Sequence, residues 1–69
     1  MLKKEERQVL LKKYMMKYNL DFYEAREKVN TFTDKLRDIK DNLKVKNKAK
    51  KFIDEEIQKH FVDEFRKLE

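Results

Sequence analysis

Five lysines, Lys44, Lys46, Lys48, Lys50 and Lys51, fall within eight residues, and no acid interrupts them between Asn42 and Ile53. An ammonium group is a compact charge on a flexible stem, suited to phosphate oxygens and to carboxylates. The strip reads as a contact surface for nucleic-acid backbone or for an acidic protein face; its plainest reading is a solvated lysine-rich loop. Charge is segregated around it: residues 35–51 hold eight basic and two acidic side chains, whereas residues 52–69 hold three basic and six acidic. Five neutralised phosphates would give a slope of about −4 to −5 in log affinity against log salt. Only four of the nineteen basic residues are Arg, so bidentate reading of guanine is thinly supplied and low sequence specificity is expected. Lys12, Lys13 and Lys17 extend the strip if their helix end lies beside it.

Other chemistry is sparse. Glu56, His60 and Glu64 are four apart, a spacing from which one helix can present several ligands, but three ligands from a single helix make a poor site and no metal is expected. His60 is read instead as a residue at the core margin with a glutamate neighbour. Thr31 and Thr33 are the only aliphatic hydroxyls, Ser and Cys are absent, and there is no Gly to build a phosphate loop. Neither an enzyme nor a cofactor is expected on these grounds. The lack of Cys also excludes disulfides and zinc-finger spacing. Near the start the longest uncharged run is Gln8–Leu11, far short of the roughly 7–15 apolar residues of a secretory signal and the roughly 20 of a membrane span. A cytoplasmic location, with no membrane partner, is the expectation.

A helix-turn-helix reading fails on its residues. Aligning Ala25 with the usual small residue of the first helix puts Val29 where Gly is usual and Lys35 where an apolar residue is needed. The segment that would enter the groove carries Asp34, Asp38 and Asp41, which oppose phosphate.

The elements that must position the lysines are helices. Phe22, Ala25, Val29, Phe32, Leu36, Ile39 and Leu43 follow an unbroken three-four spacing, one face of a long helix. Glu24, Glu27, Asp34, Asp38 and Asp41 gather opposite. Helix 1 is expected over about residues 3–18, with Glu5 and Glu6 early and Lys12, Lys13 and Lys17 late, as the helix dipole favours. Helix 2 opens at Asp21, which with Glu24 resembles a capping box, after a turn at Asn19 and Leu20. Helix 3 begins between Asn47 and Phe52 and ends near Leu68, with Asp54, Glu55 and Glu56 in its first turns and Arg66 and Lys67 in its last. Nothing in Asn42–Asn47 forbids helix, so fusion of helices 2 and 3 into one long helix is the alternative to a short loop and antiparallel return.

Helix 3 spaces Ala49, Ile53, Ile57, Phe61 and Phe65 by four, a slanted stripe suited to an inclined crossing. Helix 1 is apolar on two sides: Leu10, Leu11, Tyr14, Met15 and Tyr18 form one face, and Leu2, Val9 and Met16, seven apart, form a second row. That row is a candidate interface, because a helix apolar on two sides usually has two neighbours. A basic amphipathic helix on an anionic membrane is the weaker reading of the same face. Read as a coiled-coil seam between chains, helix 2 sets Arg26, Lys28, Lys35 and Lys40 at its flanks, where a parallel homodimer brings like charges together. An intrachain core suits the stripe better. At 69 residues a monomer buries only about 60% of its unfolded surface, so a homodimer is expected.

The sequence thus implies an all-α protein, a three-helix bundle formed by residues 1–69 as one domain. Its expected core is Leu11, Tyr14, Tyr18, Phe22, Val29, Phe32, Leu36, Ile39, Ile53, Ile57, Phe61 and Phe65. The net charge of +5 points to a non-enzymatic binding protein that contacts nucleic-acid backbone in a regulatory or accessory role. The alternative is an inhibitor or adaptor docking a larger acidic protein.

Overall fold

The structure, a computed structural model, describes residues 2–69. Its elements are α1 (Lys4–Tyr18), α2 (Phe22–Val45) and α3 (Lys50–Lys67), packed as an all-α three-helix bundle. Each start has a local cause. At α1 the Lys3 amide donates to Glu6 Oε1 at 3.0 Å, and Glu5 and Glu6 face the positive end of the dipole. At α2 the Asp21 carboxylate accepts the Glu24 amide at 2.8 Å, the N-cap half of the expected capping box. At α3 the N-cap is Ala49, no side chain caps the helix, and its first turn carries no acid; Asp54, Glu55 and Glu56 come a turn later.

Both helix breaks rest on asparagine. Asn19 and Asn47 take left-handed backbone, with φ of 53° and 59°, a conformation Asn tolerates better than most residues that carry a Cβ. After α2 the Lys48 amide donates to the Leu43 carbonyl and the Asn47 amide to the Lys44 carbonyl, each at 3.0 Å. This is a Schellman ending with Asn in the position Gly usually takes. Helices 2 and 3 are therefore separate, and the fused rod does not form.

Packing follows the α2 stripe. Ala25, Val29, Phe32 and Leu36 are buried against Leu10 and Tyr14 of α1, Ile53 and Ile57 of α3, and Leu68 just beyond it. Ile39, Leu43 and Phe61 are half-buried at the margin of this core. Burying each large side chain contributes about 1.5–3 kcal/mol. Thr33 is buried too, and its hydroxyl donates back to the Val29 carbonyl at 2.9 Å.

The expected core needs correction at several positions: Phe65 is half-buried and outside the core cluster, and Ala25, absent from the expected set, is fully buried. On α1, Leu10 is fully buried while Leu11 is half-buried; adjacent residues differ by about 100° around a helix, and α1 turns its Leu10–Tyr14 edge inward. Tyr18 and Phe22, 50% and 47% exposed, flank the α1–α2 turn at the end of the bundle and are only partly covered. Leu68, absent from the expected set, joins the core from beyond the last turn of α3.

The molecule measures 40 × 19 × 18 Å, drawn out along α2. Arg7 reaches Asn30, Nη2 to Oδ1 at 2.9 Å, so the start of α1 lies beside the middle of α2. The last turns of α2 consequently run past the start of α1 and pack on α3, and the lysine strip sits at that end.

Candidate nucleic-acid interface

The Schellman ending and the antiparallel return of α3 bring residues of both helices around one depression. Lys40, Lys44, Lys48 and Lys50 line it, with Ile53 and Asp54, in a groove of about 340 Å³. Lys40 and Lys44 stand one turn apart on α2, Lys48 follows on the loop, and Lys50 opens α3. Ile53 is buried in the core, and Asp54 is the one acid at the rim. Among the described residues, no carboxylate lies within 4.0 Å of these ammonium groups; the ion pair that forms, Lys67 with Glu64, belongs to α3. Lys44, Lys48 and Lys50 are exposed, Lys40 half-buried. The uncapped amides at the start of α3 add partial positive charge to the same end. The arrangement can hold anionic oxygens by charge alone, with no planar fork to select among them.

The sequence-predicted strip is thus brought together in part. Lys46 and Lys51 are exposed but lie outside the groove lining. Lys40, which joins it, stands outside the run because Asp41 and Asn42 separate the two; its signal was the four-residue step from Lys40 to Lys44.

Lys12, Lys13 and Lys17 do not extend the groove. Antiparallel packing sends the end of α1 to the start of α2, and the 24 residues of α2 are about 36 Å long. Lys12 and Lys17 are exposed toward that far end, and Lys13 is half-buried with its Nζ 5.0 Å from the centre of the Phe65 ring.

The helix 1 row is also broken up. Val9 and Met16 are exposed, Met16 at 83%, but Leu2 is half-buried and packs against the core. The proposed row of three therefore presents two residues. A neighbouring face carries more: Leu11, Phe22 and Val29 floor a groove of about 380 Å³ between α1 and α2, rimmed by Lys4, Arg7 and Arg26.

Glu64 accepts a hydrogen bond from the Tyr14 hydroxyl. Burial first, then that bond and the carboxylate charge, hold the Tyr14 phenol well above its ordinary pKa. No three His, Cys, Asp or Glu side chains among the described residues are grouped to hold a metal ion. Among those residues no helix is long and apolar enough to cross a membrane. Compared with known proteins, the chain matches no family model, no curated protein and no solved structure, so a functional reading rests on the geometry of its own surface.

Proposed function

We propose that the chain is a small, cytoplasmic, non-enzymatic protein that binds nucleic-acid backbone with low sequence specificity, in a regulatory or accessory role. The observation that carries this reading is the convergence of Lys40, Lys44, Lys48 and Lys50 on one groove with no carboxylate paired to them. Four ammonium groups with no carboxylate paired to them repel one another and draw counterions, and a polyanion that replaces those ions gains their release entropy. The near absence of arginine from this end leaves phosphate, not base edges, as the target.

Charge reversal tests it. The variant carrying Lys40→Glu, Lys44→Glu, Lys48→Glu and Lys50→Glu abolishes binding to a labelled duplex at about 50 mM salt, while Lys12→Glu with Lys17→Glu weakens it far less. Equal losses from the two variants overturn the assignment of the groove.

The second reading, docking to an acidic protein, is favoured by the α1–α2 groove, whose apolar floor has a rim of Lys4, Arg7 and Arg26. Self-association through Val9 and Met16 is a separate proposal, since the chain is itself basic.

A further inference from the structure

We infer that the nucleic acid taken by the α2–α3 groove is single-stranded, with an unpaired base stacked on Phe52 and the adjoining phosphate held by Lys48. The inference rests on the backbone-binding reading above and adds to it the class of strand. Phe52 lies in the first turn of α3, one position before the buried Ile53, and its side chain is 41% exposed. It pairs with no other ring among the described residues; its neighbour is the Lys48 ammonium, 5.5 Å from the ring centre. Lys48 is also one of the four lysines of the groove. One cation therefore lies over an aromatic face and also borders a groove lined by three further lysines.

A ligand that fits both features carries an anion and a flat π-surface one backbone unit apart, which describes a nucleotide. Phosphate entering the groove competes for Lys48, and as the ammonium leaves the ring the face opens to a base. In a duplex the base faces are stacked on one another and hidden, so only a strand with unpaired bases offers that face. Lys40 and Lys44, one turn or about 6 Å apart along α2, continue the line of charge at an interval comparable to successive phosphates of a strand. Stacking of this kind tolerates any base, in keeping with the lack of arginine forks.

The test uses the full chain, a labelled oligothymidylate of about 15 nucleotides and a duplex of equal length. The wild type binds the single strand several-fold more tightly than the duplex. Phe52→Ala weakens the single-strand complex by roughly 5- to 100-fold and leaves the duplex affinity unchanged. Phe52→Trp retains single-strand binding, and its emission, the only indole signal in a chain without Trp, is quenched as the oligonucleotide is added. Loss of single-strand binding in Phe52→Ala together with quenching in Phe52→Trp supports the inference. Binding that depends on the lysines but is indifferent to Phe52, or a preference for duplex, overturns the inference and leaves backbone binding standing. Binding indifferent to the lysines overturns both.

Discussion

The Tyr14 hydroxyl donates a hydrogen bond to the Glu64 carboxylate and so joins α1 to α3 across 50 positions of sequence. Tyr14 is buried in the core while Glu64 is half-buried at its edge, and their bond ties together the two helices that are not neighbours in the chain.

Burial of Tyr14, and then that bond, set a pH dependence. The phenol is raised above its ordinary value of 10.0 in the folded chain, so the native state keeps its proton where the unfolded chain has lost it. Its stabilising contribution is complete below pH 10 and declines as pH rises from there toward the folded pKa. Tyr14→Phe is expected to cost about 1–2 kcal/mol at pH 7 and to reduce the alkaline loss of stability relative to wild type. Urea unfolding of the two proteins between neutral pH and alkaline pH checks both; parallel curves contradict the coupling.

Asn47 separates α2 from α3 by accepting a left-handed backbone, φ 59°. Asn47→Gly is expected to keep or slightly raise stability, whereas Asn47→Ala costs about 1 kcal/mol. Equal midpoints of denaturant unfolding for the three proteins would show that the Schellman ending carries no weight.

Leu10 and Leu36 are both fully buried in the same core cluster. Leu36→Ala removes that packing at a cost of about 2–5 kcal/mol, against a total stability of order 5 kcal/mol for a domain this small. Thermal unfolding followed by circular dichroism is expected to fall by about 10 °C or more, and a shift near zero contradicts the core assignment.

These helices were legible to different depths. α2 could be read almost whole, since its seven apolar positions repeat at helical spacing and Asp21 stands where a cap is needed. Its far end was read less sharply: the short loop before helix 3 was the favoured reading and forms, but a chain without glycine leaves the break to an asparagine, so a fused helix stayed open as the alternative. The choice between Leu10 and Leu11 depends on which way α1 rolls, and two adjacent leucines carry no local sign of it. Placement of Lys12 and Lys17 away from the groove depends on topology, and the approach of Glu64 to Tyr14 depends on the register of two helices 50 positions apart. The lysine run itself was visible, but which of its members converge is decided by the Asn47 turn.

The helix 1 row bears on self-association. With Leu2 packed on the core and Met16 exposed, Val9→Asp with Met16→Asp is expected to leave the fold intact and to shift any dimer to monomer in sedimentation equilibrium. A mass unchanged by the substitutions contradicts a role for this row in self-association.

The most direct measurement of the central claim is the salt slope of binding. Fluorescence anisotropy with a labelled oligonucleotide between about 50 mM and 200 mM salt is expected to give a slope near −3 to −4 for the four groove lysines, set by about 0.7–0.9 per phosphate neutralised. Each single Lys→Ala change at Lys40, Lys44, Lys48 or Lys50 is expected to reduce its magnitude by about 1. No binding at the lower salt, or a slope that these substitutions leave unchanged, contradicts the account.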